Sequence, residues 1–309
     1  MPDPAISIRG LKKTFVGHLS IGRIHALRGV DLEVPSTGIY GFLGPNGAGK
    51  TTTLKIVTGL LFPSEGEVRI MGRPAGDNLV RMNLGFLPES PYFYDYLTGE
   101  ELVTFFGSLF GIPGKELKDR TRLLLDMVGL RGKEKLPLRK YSKGMLQRVG
   151  LAQAMVNDPQ ILILDEPMSG LDPIGRREIR DLILGLKEKG KTIFFSSHIL
   201  ADAEMICDEV AIIVKGKVVQ KGRLEELLGK DVRFWDLSFK GPADAEGLPS
   251  RHVITSHEGY TMIRLDSEEA VEQAVSELPK RGARIISLVP HKASLEELFL
   301  SSIEEREND

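Results

Sequence analysis

Cysteine is all but missing from this chain of 309 residues: Cys207 stands alone, which excludes an intrachain disulfide and a thiolate metal cage. Its neighbours Met205 and Ile206 suggest a small buried hydrophobe in a reducing compartment. No apolar run approaches the roughly 18 residues that span a bilayer. The opening Met1-Pro2-Asp3-Pro4-Ala5 lacks the basic-then-apolar pattern of a secretory signal, so the chain reads as a soluble protein. Excess positive charge is lacking too. Lys and Arg number 41 against 43 Asp and Glu, which leaves no global basic field for nucleic acid or an anionic membrane. There is no internal repeat and no low-complexity stretch.

What is present is 41% hydrophobic residues, enough for one large domain and a smaller one. The near-zero net charge hides an asymmetry: residues 231–309 carry 9 basic and 16 acidic residues, against 32 and 27 upstream. Short apolar runs recur beside turn residues at Gly38 to Leu43, Ile161 to Leu164, Thr192 to Phe195 and Val210 to Val214. Runs without alternation suit strands buried on both faces of a parallel sheet. Helical stretches separate them, among them Gly144 to Val156 and Arg176 to Lys189, the latter closed by Gly190. Strand and helix in alternation define an α/β domain.

Residues before about Val34 read as an N-terminal β layer, and the interval from about Leu97 to Leu136 reads as an inserted helical region. After Gly229 the pattern changes to strands at Val232 to Phe239, His252 to Ser256 and Tyr260 to Leu265, a helix from about Glu268 to Arg281, and a strand from Ala283 to Val289. The expected organisation is a domain over residues 1–229, with a helical subdomain at about 97–158, and a small acidic α+β domain over 230–309.

The sharpest chemical signal is Gly44-Pro45-Asn46-Gly47-Ala48-Gly49-Lys50-Thr51-Thr52, between an expected strand and an expected helix. Glycines let successive N–H groups turn around phosphate oxygens, Lys50 supplies a point charge to the β and γ phosphates, and Thr51 offers a hydroxyl to Mg²⁺. A glycine-rich turn with an accidental Gly-Lys-Thr would not need those flanks. Downstream, the buried run from Ile161 ends in Asp165-Glu166, where Asp165 can hold Mg²⁺ and Glu166 can poise an attacking water. Two acids at a strand end are common, and the upstream loop is what gives these a function.

In order and spacing these pieces resemble the ATP-binding-cassette ATPases, over roughly residues 5–226. Tyr141-Ser142-Lys143-Gly144-Met145 is similar to that family's signature loop, with Ser142 and Gly144 matching and Lys143 and Met145 departing; by itself it would be an ordinary helix cap. Ser169-Gly170-Leu171-Asp172 looks like the D-loop, Ser196-Ser197-His198 the switch histidine, and Gly85-Phe86-Leu87-Pro88-Glu89 the Q-loop, with Glu89 in place of the usual glutamine. Phe15 is the aromatic of the N-terminal layer that could stack on adenine, or else a core ring.

The resemblance implies a P-loop NTPase core with an N-terminal antiparallel β layer, ATP and Mg²⁺ as ligands, and Asp172 and Glu89 near the nucleotide, Glu89 with a share in the metal. It also implies a homodimer in which Ser142 and Gly144 of one chain close over ATP on Lys50 of the other. The machine's partner would be a transmembrane permease in a separate chain, at the cytoplasmic face of the cell membrane, with no nucleic acid bound. The late Ser294-Leu295-Glu296-Glu297-Leu298-Phe299 and the Lys143-Gly144-Met145 variant look like bacterial drug, polysaccharide or lipid exporters. Two other readings are a non-transport ATPase of the same class acting on ribosomes or DNA, and a module that senses ATP without hydrolysing it. One P-loop, no sustained heptad pattern and the acidic tail speak against the first; Glu166 speaks against the second. Pro91-Tyr92-Phe93-Tyr94-Asp95-Tyr96-Leu97 concentrates aromatics beside the Q-loop, either as a core strand or as a surface for the permease.

Overall fold

The computed structural model describes residues 3–16, 22–229, 232–241, 252–257 and 260–300. They form two compact units that divide after Leu224.

In chain order the first unit comprises β1 (Ile6–Val16), β2 (Arg23–Val34), β3 (Gly38–Leu43), α1 (Lys50–Val57), β4 (Glu65–Ile70), β5 (Arg73–Pro74), α2 (Asn78–Met82) and β6 (Leu84–Leu87). There follow α3 (Gly99–Leu109), α4 (Gly114–Met127), α5 (Lys143–Ala154), β7 (Ile161–Asp165), α6 (Pro173–Glu188), β8 (Thr192–Ser197), α7 (Leu200–Glu204), β9 (Glu209–Val214) and β10 (Lys217–Arg223).

The central sheet runs β10-β9-β3-β8-β7-β6, with β9, β3, β8, β7 and β6 parallel and β10 antiparallel at the edge. Its inner strands β9, β3, β8 and β7 are almost wholly buried because both faces are covered, whereas the edge strand β10 is polar and partly exposed. Phe42 and Phe194 are fully buried with ring centroids 5.7 Å apart, and Tyr40 meets Phe194 edge-on at 6.0 Å. Each such ring contributes about 1.5–3 kcal/mol through burial. Three helices fill the inserted region and its exit. α3 starts at a capping box in which the Thr98 hydroxyl accepts from the Glu101 amide and Glu101 accepts from the Thr98 amide.

Four strands of the first unit were not expected from the sequence: β4, β5, β6 and β10. The N-terminal layer is a four-stranded antiparallel sheet, β2-β1-β4-β5, so residues 65–74 join those before Val34. Ile6 pairs with Ile70 there, yet β4 buries only Val68 and Ile70, too little apolar signal to read locally. β6 is a four-residue edge strand at the expected Q-loop. It packs against α5 so closely that a Cβ on Gly85 would lie 2.0 Å from the Ala154 carbonyl oxygen. The alternative of a core strand at Pro91 to Leu97 is overturned: residues 91–94 have no regular structure and the Tyr92 side chain is fully exposed.

α8 (Leu224–Leu228) crosses the division, and the second unit continues with β11 (Val232–Lys240), β12 (His252–His257), β13 (Tyr260–Leu265), α9 (Glu268–Lys280) and β14 (Arg284–Lys292). Its sheet is antiparallel in the order β12-β13-β11-β14. One face carries Leu237, Phe239, Ile263 and Leu265 against Ala274 and Leu278 of α9, an apolar core of its own. Elsewhere on the sheet the Asp236 carboxylate accepts from Arg264 and pairs with His291, each at 3.0 Å, while the Arg264 guanidinium lies 3.8 Å from the Phe234 ring centroid.

Candidate active site

The loop between β3 and α1 is shaped by steric demand. Gly44 runs so tightly along β9 that a Cβ would sit 2.2 Å from the Ile213 carbonyl oxygen. Gly49 caps α1 at φ 109°, and a Cβ there would meet Leu27 at 2.7 Å and the Ala26 carbonyl at 2.8 Å. With the path fixed, the first turn of α1 presents its free N–H groups and contains no acidic residue, an anion-favouring helix start. Lys50 opens that helix and is 5% exposed; its ammonium donates to the carbonyl oxygens of Gly44 (2.7 Å) and Pro45 (3.2 Å).

Across from it, β7 delivers two carboxylates. Asp165 ends the strand; Glu166 leaves it at φ 49°, a left-handed conformation that costs a non-glycine residue on the order of 1 kcal/mol and is concentrated at functional sites. Glu166 Oε1 lies 3.1 Å from Lys50 Nζ, close enough for an ion pair but off the line of a hydrogen bond, so it has no hydrogen-bond partner among the described residues. Its Oε2 takes His198 Nδ1 at 2.8 Å and the His198 amide at 3.3 Å. Accepting from the ring requires the proton on Nδ1, which leaves Nε2 as the ring's other working atom.

Burial raises the Asp165 carboxyl above the usual carboxylate range; hydrogen bonds from Ser196 and Thr51 oppose that rise, and the charges of Glu89 and Glu166 add to it. Thr51, Asp165 and Glu89 thus supply hard oxygen donors beside the loop. No cluster of three or more acidic, His or Cys ligands occurs among the described residues. Two carboxylates and a hydroxyl suit Mg²⁺, which takes one or two carboxylates and completes its shell with water and substrate phosphates. The residues fit the ion.

Asn46, Gly47, Gly49, Lys50, Thr51 and Thr52 line a cleft of about 230 Å³ together with Glu89, Glu166 and Ala26. Ala26, on β2, was not foreseen, and nor was Ser196, whose place against Asp165 depends on strand register. Nine expected residues lie outside that lining: Gly44, Pro45, Ala48, Asp165 and His198 belong to the loop and strand ends just described, and Phe15, Ser142, Gly144 and Asp172 stand elsewhere. Phe15 is 40% exposed on β1, with the Lys13 ammonium 5.2 Å from its ring centroid. Ser142 caps α5 by accepting from Met145, and Asp172 caps α6 by accepting from Gly175 at 2.8 Å. Gly144 approaches Leu171, and the Lys143 side chain lies over Gly170, so the starts of these two helices touch.

A second, wider cleft of about 610 Å³ lies along Pro91 to Tyr96 and reaches Leu138, Arg139 and Leu146. Tyr92, Tyr94 and Tyr96 are exposed, whereas Phe93 is half-buried and turns inward beside Gly150, where a Cβ would crowd Leu87 at 2.7 Å.

Comparison with known proteins agrees with this geometry. A model of the family described as "ABC transporter" matches residues 27–169. An uncharacterized ABC transporter ATP-binding protein of Synechocystis is 44% identical over 92% of this chain and 80% of its own length. The bacitracin transport ATP-binding protein BcrA of Enterococcus faecalis is 34% identical over 90% of this chain and 91% of its own. Among solved structures, a dimeric ATP-binding cassette in a post-hydrolysis state with ADP and Pi superposes with a TM-score of 0.66 at 27% identity, covering 71% of this chain and 98% of that one.

Proposed function

Since the chain belongs to the ABC transporter ATP-binding family, we propose specific roles for its residues in an ATP-driven exporter. The chain is an ATPase that uses Mg-ATP and couples hydrolysis to transport, and subunits of this kind dimerise and work with a separate permease. In our reading the loop from Gly44 to Thr52 wraps the phosphates, and Lys50 meets the β and γ oxygens. Bound Mg²⁺, held through Thr51, Asp165 and Glu89, would neutralise charge building on the phosphate oxygens. Glu166 takes the proton of the attacking water, and His198, held by the same carboxylate, stays in place to contact the γ-phosphate. The observation that carries this reading is the convergence of Lys50 and His198 on the two oxygens of one buried carboxylate, at 3.1 and 2.8 Å.

The size of the cleft bears on assembly. At about 230 Å³ it is smaller than the roughly 300–1,000 Å³ that encloses a small ligand, which supports a site completed by a second surface. We assign that surface to Ser142 and Gly144 of a second copy, with Asp172 at the contact and Phe15 beside the base. The aromatic cleft at Tyr92 and Tyr94 is assigned to the permease, which would hold the subunit at the cytoplasmic face of the membrane; no helix among the described residues is long and apolar enough to cross a membrane. The resemblance to a bacitracin transport protein favours export, with residues 230–309 as an accessory domain.

Mixing two defective chains tests the composite site. Lys50→Ala removes one half of it and Ser142→Arg the other, so each protein alone should be inactive. Mixed, they form some dimers with one intact site, and phosphate release should return. A mixture no more active than its components would sink the head-to-tail arrangement.

A further inference from the structure

We propose that Ser196 is a positioning residue for ATP hydrolysis, a single hydroxyl that aims both Asp165 and Glu166. The inference rests on the roles given above to those two carboxylates.

β8 runs parallel to β7 in a register that sets Ser196 opposite Asp165. Ser196 is fully buried. Its hydroxyl donates to Asp165 Oδ1 at 2.6 Å and accepts from the Glu166 amide at 2.9 Å. The two bonds do different work. Accepting from Glu166 engages the first N–H beyond the end of β7 and holds the residue at φ 49°, the backbone turn that sends its carboxylate towards Lys50 and His198. Donating to Asp165 commits Oδ1 and so restrains the rotation of a carboxylate that Thr51 also hydrogen-bonds. A hydroxyl is the smallest group that can donate and accept at once. Alanine at this position would strand a buried amide and a buried carboxylate oxygen together, each a costly loss of a partner. Groups that orient a ligand from behind typically matter 10–100-fold in activity when removed.

Ser196 is not itself a ligand of nucleotide in this reading, because it is fully buried and its hydroxyl is already engaged by Asp165 and Glu166. Its loss should therefore act on turnover and spare affinity. The full-length subunit is compared as wild type, Ser196→Ala, Ser196→Thr and Glu166→Gln, with phosphate release and titration by a fluorescent ATP analogue measured in parallel. Ser196→Ala should lower kcat about 10–100-fold with KM and the analogue's Kd within about twofold of wild type. Ser196→Thr, which keeps the hydroxyl, should recover kcat to within about threefold. A wild-type kcat in Ser196→Ala, or a loss that threonine fails to restore, overturns the proposal, as does a Kd that weakens in step with kcat. If the alanine variant does not fold, the threonine variant decides alone: near-normal kcat supports the role and a tenfold loss removes it. The Glu166→Gln arm separates the layers. Should that variant turn over normally, the reading of the carboxylates falls; should it be dead while Ser196→Ala is normal, Ser196 alone loses its role.

Discussion

Glu166→Gln is the perturbation whose size follows most directly from the geometry. Glutamine keeps the shape, and its amide oxygen can still accept from His198 Nδ1, at 2.8 Å in the wild type. It cannot take a proton from water. A general base typically contributes about 10²–10⁴-fold, which is about 2.7–5.4 kcal/mol of barrier at 1.36 kcal/mol per decade. The substitution also leaves Lys50 without its acid, and the two side chains are only 5% and 6% exposed. Removing one partner of a buried pair costs about 3–5 kcal/mol. Lys50 keeps the carbonyls of Gly44 and Pro45, so the lower end applies. At about 2–4 °C per kcal/mol for a unit of this size, melting without nucleotide should fall by about 6–12 °C. Mg-ATP at a hundred times its Kd returns about 2.7 kcal/mol, and since the γ-phosphate survives, that gain should persist. Phosphate release, thermal melting with and without Mg-ATP, and gel filtration read the three effects. Wild-type phosphate release would remove Glu166 from the chemistry, and an unchanged melting temperature without nucleotide would show that its pairing with Lys50 carries no net energy.

Lys50→Ala should lose nucleotide affinity and turnover together, because the charge faces phosphate in ground and transition state alike; a fluorescent-analogue titration with unchanged Kd would contradict this. Replacing Tyr92 and Tyr94 by Ala should leave basal ATPase activity near normal, since both rings are exposed, while weakening co-sedimentation with permease-containing membranes. Recovery with those membranes equal to wild type would refute the docking surface. Gly85→Ala drives a Cβ to 2.0 Å from a backbone oxygen and should destabilise the first unit by about 1–3 kcal/mol or more, measured by chemical denaturation. Burial pushes the Cys207 thiol well above its ordinary pKa, so the thiolate is scarce at pH 8 and thiol reagents should label it only after unfolding. Rapid labelling of the native protein would place Cys207 at the surface.

The features that sequence alone determined are those whose physics is local. The loop from Gly44 to Thr52 carries its own steric and electrostatic logic, and the strands β3, β7, β8 and β9 announce themselves because double-sided burial demands unbroken apolar runs. The pairing Asp165-Glu166 needed only a strand end. Half-buried or short elements were silent: β4 shows two buried residues in six, and β6 is four residues long. Likewise the inward turn of Phe93 amid exposed tyrosines sets its ring beside Gly150, 57 positions away, a contact no local pattern states. Ser196 is the clearest case of what tertiary structure decided. It stands 31 positions from Asp165 and 30 from Glu166, and nothing in a serine's neighbours along the chain states its register in a parallel sheet. Parallel strands are joined through crossovers, so the side chains that meet across them are chosen by packing of the helices between, and only the folded sheet brings that hydroxyl between two carboxylate-bearing residues.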